Sequence, residues 1–203
     1  MSRGRPRKQS IEQTLDLALD VFRRKGYDST SVQDLSEAVG LGPSSLYNSF
    51  GSKDALYLRC MERYIQQNRG LWESLKHPEA IEALEGVLVA SANLYAADPV
   101  HRGCAILSTS PLNTPEGQHI DAFFDERRRG TLEAWSRRIQ QGIDDGHLRP
   151  DTPIESLARF LMSVCQGMSA QACDGATQAQ LLQVAAQAKI VLRTWAAWPS
   201  MPA

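Results

Sequence analysis

The chain has little of what catalysts, metalloproteins and membrane proteins are built around. It carries four cysteines in 203 residues, Cys60, Cys104, Cys165 and Cys173, and none has the close paired spacing that zinc or iron-sulfur ligation uses. A thiolate metal site is thereby excluded. A disulfide framework is equally out of place in a reducing compartment, which leaves the thiols as core fillers or redox-reactive groups. There is no phosphate-cradling glycine-rich loop and no Gly-x-Ser-x-Gly elbow. His77, His101, His119 and His147 fall near helix ends or loops without an evident partner. Neither an enzyme nor a bound cofactor is expected. Long apolar runs are also missing, since no segment approaches the roughly 18 uncharged apolar residues that spanning a bilayer takes. Arg3, Arg5, Arg7 and Lys8 have the charge of a secretory leader, but Gln9, Ser10, Glu12, Gln13 and Asp16 stand where its apolar stretch would be. A cytoplasmic protein without a membrane partner is expected.

A surplus of positive charge is lacking as well, with a formal net charge of -1. Taken alone this argues against nucleic acid, because DNA binders neutralise phosphates with Lys and Arg. The average hides an asymmetry. Residues 1–60 hold nine Lys and Arg against seven Asp and Glu, whereas residues 61–203 hold thirteen against sixteen. Four of those nine positives are Arg3, Arg5, Arg7 and Lys8. Phosphate contact, if any, belongs at the N-terminal end.

Alternating β-branched stretches are absent, and what is present is the punctuation of helices. Ser10 with Gln13 reads as a capping box opening a helix with Ile11, Leu15, Ala18, Leu19 and Phe22 on one face, closed by Gly26. Thr30 or Ser31 caps a short second helix with Val32, Leu35, Ala38 and Val39 inward, stopping at Gly40. Pro43 opens a third with Leu46, Tyr47 and Phe50, and Ser52 caps a fourth running from Lys53 toward Leu75. Longer helices are expected from Pro78 to Asp98, from Thr114-Pro115 to Asp145-Gly146, from Thr152-Pro153, and from Thr177, which boxes with Gln180. The expectation is an all-α chain with an N-terminal three-helix DNA-binding domain at 8–60. A larger helical regulatory, ligand-sensing and dimerisation domain follows at 61–203.

Two short helices joined at Gly40-Leu41-Gly42 have the spacing of a helix-turn-helix, whose second helix enters the major groove. An αα-hairpin inside an ordinary bundle has the same spacing, so the side chains must decide. The third helix keeps Leu46 and Phe50 for a core and turns Pro43, Ser44, Ser45, Asn48 and Ser49 outward, small enough to approach base edges. Helix N-termini at Ser31-Val32 and Ser52-Lys53 offer N–H groups to phosphate. The arm with Arg5, Arg7 and Lys8 can track the backbone or enter the minor groove.

The run Ala18-Leu19-Asp20-Val21-Phe22 to Gly26-Tyr27, then Thr30-Ser31-Val32-Gln33-Asp34-Leu35, Ala38-Val39-Gly40-Leu41 and Ser45 to Leu56 closely resembles the DNA-binding domain of TetR-type regulators. The resemblance implies an all-α homodimer that binds a two-fold-symmetric double-stranded operator as a repressor and is released by a small ligand. It places Ser31, Val32, Pro43, Ser44, Ser45, Tyr47, Ser49 and Lys53 at DNA-contacting positions. Tyr47 and Lys53 fall to phosphate, and Pro43, Ser44 and Ser45 to base reading. It also implies a four-helix dimer surface from the last two long helices. Their stripes at 157–168 and 181–195 suit this, and suit an internal core equally well.

Beyond the DNA-binding domain the segment Gly103-Cys104-Ala105-Ile106-Leu107 resembles a branch of those regulators that senses electrophiles or reactive chlorine species. That implies Cys104 as a redox sensor, its thiol activated by Arg102 and by a helix start near Gly103. A Cys among Ala, Ile and Leu is otherwise a small buried apolar residue. Trp72, Phe123, Phe124, Trp135 and Met168 line either an apolar ligand cavity or a core, and Arg127, Arg128 and Arg129 read as a solvated helix face.

Overall fold

The computed structural model describes residues 10–109 and 111–197. Among these, eight α-helices and one 3-10 helix occur, with no strand and a single isolated bridge between Leu148 and Ala196. The chain divides into two units between Gln67 and Asn68.

The N-terminal unit holds α1 (Ile11–Lys25), α2 (Val32–Val39), α3 (Pro43–Phe50) and α4 (Lys53–Gln67). The Ser10–Gln13 capping box forms as expected, and Arg23, Arg24 and Lys25 sit in the last turn of α1, where cations complement the helix dipole. Leu15, Ala18, Leu19 and Phe22 meet Leu56, Tyr57 and Cys60 of α4 in a core closed by edge-on packing of Phe22 and Tyr57, 4.8 Å between centroids. On α2 the inward positions are Leu35, Ser36 and Val39, while Ala38 is exposed, contrary to the expected stripe. An eight-residue helix presents only a narrow inward face, and the next apolar position after Leu35 on that face is Val39.

The C-terminal unit begins with a surprise. Helix α4 does not reach Leu75 but ends at Gln67, and after Asn68 the chain tightens into a 3-10 helix, Arg69–Lys76, that buries no residue. Gly70 lowers the α-helical propensity there, and the tighter turn lays Leu71, Trp72, Ser74 and Leu75 half-buried along α5. Helix α5 (Ala80–Ala97) is apolar enough by composition to cross a membrane, yet it is the core helix of this unit. It buries Ala83, Leu84, Val87, Leu88, Ala92 and Tyr95 against α6 (Gln118–Asp144), α7 (Ile154–Cys173), α8 (Gln178–Arg193) and the 3-10 helix. Helix α6 starts at Gln118, later than Thr114-Pro115, because Thr114 Oγ1 accepts from Gly117 N at 3.1 Å and closes a turn first. The Thr177–Gln180 box opens α8 as expected.

Candidate nucleic-acid interface

The N-terminal unit brings its sequence-nominated residues to the outer side of α2, α3 and the start of α4. Gly40 adopts the left-handed conformation, φ +65°, that turns the chain tightly after α2, and its N–H bonds Ser36 O. Pro43 then takes the first position of α3, where its missing N–H is no loss. Leu46 and Phe50 are buried, whereas Pro43, Ser44, Ser45, Tyr47, Asn48 and Ser49 are exposed, Tyr47 by 46%. An αα-hairpin inside a bundle would bury part of this row; here a whole helix face of small polar side chains is left to solvent. Ser49 Oγ is not wholly free, since it donates to Ser45 O at 2.9 Å.

Ser31, not Thr30, caps α2. Its hydroxyl accepts from Asp34 N and its N–H donates to the Asp34 carboxylate at 2.9 Å. The sequence signature of this reciprocal box is Ser31-x-x-Asp34. Lys25 closes on the same carboxylate at 2.6 Å, and that ammonium, followed by the Ser31 N–H and hydroxyl, holds Asp34 down at about 2. Thr30 turns inward and donates to Gly26 O at 2.6 Å. Val32 is half-buried, and with Tyr47 and Lys53 it borders a shallow notch floored by Leu35, Leu46 and Leu56.

Lys53 has a structural duty that the sequence does not disclose. Its ammonium donates to Tyr27 O and Thr30 O, both at 3.1 Å, and lies 4.2 Å from the Tyr27 ring centroid. The Tyr27 hydroxyl in turn donates to Asp54, and burial together with that carboxylate raises the phenol pKa. Lys53 therefore staples the α1–α2 loop to the start of α4 with two of its three ammonium N–H groups. Arg63 grips Asp16 through two bonds of 2.5 and 2.7 Å, which lowers the Asp16 pKa and ties α4 to α1. Arg5, Arg7 and Lys8 lie outside the described residues.

The candidate sensor is placed differently from its expectation. Cys104 is buried, and no helix begins near Gly103, because 104–108 form a turn with Ser108 N on Cys104 O. The Arg102 guanidinium is engaged with Ala176 O at 2.9 Å. Cys104 N donates to the buried Ser169 hydroxyl at 2.7 Å, and Cys173 is the exposed thiol beside this turn, its Sγ on Arg102 O at 3.4 Å. Arg127 and Arg128 are not a solvated face. Arg127 lies over the Phe123 ring, and Arg128 donates to Thr109 O at 3.2 Å, fastening the same turn to α6. The five large side chains nominated as a cavity lining pair off as Trp72 with Trp135 and Phe123 with Phe124, with Met168 buried. Among the described residues no group of His, Cys, Asp and Glu could hold a metal.

Residues 15–60 match the family model described as bacterial regulatory proteins, tetR family. The transcriptional repressor ComR of Escherichia coli K12 is 29% identical over 197 residues, covering 96% of this chain and 92% of its own. The E. coli repressor BdcR is 28% identical over 193 residues, with 94% and 93% covered. Among solved structures, a cysteine mutant of the TetR family regulator CifR in complex with a 26-base-pair operator superposes with TM-score 0.85. It is 32% identical, and the match covers 95% of this chain and all of that one. The exposed α3 face, the left-handed turn that presents it and these likenesses converge: the chain belongs to the TetR family of transcriptional regulators.

Proposed function

We propose that this protein is a cytoplasmic transcriptional repressor that binds a palindromic operator as a homodimer and leaves it when a small ligand binds or a cysteine is modified. The observation that carries the reading is the face of α3, where Leu46 and Phe50 anchor the helix and every other position is exposed. Ser44, Ser45 and Pro43 read base edges. Tyr47, Lys53, Asn48, Ser49 and the N-terminus of α2 at Ser31 and Val32 position the helix on phosphate and sugar, and Arg5, Arg7 and Lys8 follow the backbone beyond. The curated relatives are repressors and the CifR mutant is bound to operator DNA, which supports repression over activation.

One short recognition helix covers few base pairs, so useful specificity requires two copies about one helical turn apart. Helices α7 and α8 are the proposed dimer surface. Leu157, Leu161, Met168, Leu181 and Ala188 of the expected stripes serve the unit's own core, but Ile190 remains 57% exposed and Val191 38%, with Phe160 and Val164 half-buried. Release by a ligand or oxidant needs a differential affinity of about 1–3 kcal/mol between two arrangements of the dimer. Cys104 is kept as the modified group only if its turn opens, and Cys173 is the thiol an electrophile meets first.

The test selects bound sequences from random duplexes and follows the best one by fluorescence anisotropy across a salt series. Affinity should fall steeply with salt, and Ser44→Glu with Ser45→Glu should abolish binding while leaving the melting temperature within a few degrees. Unchanged binding by that double variant would remove α3 from the DNA.

A further inference from the structure

The side chains assigned above to base edges, Pro43, Ser44 and Ser45, are short. Proline has no donor and can only lie against a thymine methyl, and a serine hydroxyl, donor and acceptor at once, suits either kind of base pair. Helix α3 carries no charged residue, so the guanidinium or ammonium that would clamp guanine is absent from it. Asn48, its one amide, goes to the duplex backbone. A two-pronged hydrogen bond to a base must come from a side chain beside α3.

Gln33 of α2 stands there, and its neighbours in the chain fix its direction. Val32 borders the notch with Leu46 and Tyr47 of α3 and Lys53 of α4, whereas Asp34 turns the other way, to Lys25 at the end of α1. Successive side chains on a helix diverge by about 100°, so Gln33 leaves α2 between those two directions and about 60° from Ser36, which is buried on the flank of Val32. Gln33 therefore rises, exposed, from the flank turned away from α1 and toward α3.

Glu37, one turn later and also exposed, accepts a hydrogen bond from Gln33 Nε2 at 2.8 Å. A carboxylate can only accept, so it draws the amide nitrogen toward itself and settles which end of the amide faces which way. One N–H and the carbonyl oxygen of Gln33 are left side by side. That donor and acceptor match N7 and the N6 amino group of adenine in the major groove, whereas guanine would set its O6 acceptor against the Gln33 oxygen. A carboxylate near phosphates weakens binding to every sequence alike, so what Glu37 contributes is selectivity.

We propose that Gln33 is a further base-reading residue that grips one adenine in each operator half-site through its amide, with Glu37 as its positioning residue. The inference deepens the repressor reading above and rests on it.

The full chain, Gln33→Ala and Glu37→Gln are each used to select duplexes from a random pool, and the recovered sites are compared position by position. Gln33→Ala should keep the wild-type site except at one symmetry-related pair of positions, where the preference for adenine drops about tenfold or more. Gln33 is exposed and alanine favours a helix, so folding is not at stake. In anisotropy titrations, 7-deazaadenine at those two positions, which lacks the N7 acceptor, should weaken wild-type binding severalfold and leave Gln33→Ala unmoved. Glu37→Gln should blur the same adenine preference without lowering overall affinity, a split that loss of a merely structural contact would not produce. An unaltered site from Gln33→Ala, a lost preference for a base other than adenine, or an equal effect of 7-deazaadenine on both proteins would overturn Gln33 as a reader. Unchanged adenine preference in Glu37→Gln would overturn the positioning role. Failure of the wild type to select any site would overturn the repressor reading instead.

Discussion

Asp34 shows how much one side chain carries at the residue scale. It completes the Ser31 capping box and receives the Lys25 ammonium, so it ties the start of the helix before the turn to the end of α1. Its folded pKa of about 2 lies below the ordinary 3.8. A depressed carboxylate contributes stability that is complete above the unfolded value and is lost as pH falls from there through the folded one. Acid unfolding should therefore steepen between pH 4 and 2, and Asp34→Asn should flatten that stretch; a carboxyl carbon shift titrating at 3.8 would contradict it. The thiols separate as clearly. Burial pushes Cys60 and Cys165 up to about 12, which leaves about one thiolate in ten thousand at pH 8. Native labelling with a maleimide, mapped by mass spectrometry, should mark Cys173 first and spare Cys60 and Cys165 until the chain unfolds. Early modification of Cys60 would refute this order.

At the scale of elements, the turn holding Cys104 depends on Gly103. That residue has φ +77°, and an added Cβ would lie 2.8 Å from both Cys173 Sγ and Ser169 O. Backbone strain and collision act together, so Gly103→Ala should cost at least about 1–2 kcal/mol of stability by chemical denaturation and expose Cys104 to labelling. A variant as stable as the wild type, with Cys104 still protected, would show that the turn is not seated as described. The helix-turn-helix was readable from sequence because short-range chemistry writes it: a cap, a left-handed glycine, a first-turn proline and two anchors four residues apart. The 3-10 helix after α4 was not readable, since Leu71, Trp72 and Leu75 continue an apolar periodicity that only packing could accept or refuse. Arg128 departs from the expected solvated face for the same reason, because which carbonyls surround a helix is not encoded within it, whereas Arg129 stays exposed as expected.

For the whole molecule, the exposed Ile190 and Val191 make assembly the quantity to measure. Ile190→Glu with Val191→Glu should convert the particle in sedimentation to the 22.5 kDa monomer, leaving the helical content unchanged. Operator affinity should then fall on the order of a hundredfold, because the second half-site no longer adds its contacts. A dimer that survives both charges would move the interface off this part of α8.

By itself the amino-acid order determined the helical class, the caps and turns, the recognition helix with its two anchors, and the family, since all of these follow from chemistry within about four residues. Only the tertiary structure decided that Lys53 is a staple as well as a candidate phosphate ligand, that Cys104 is shielded while Cys173 is open, and that Arg128 is spent on the carbonyls of the Cys104 turn. Those properties depend on which groups distant in sequence desolvate one another, and desolvation belongs to the packed chain.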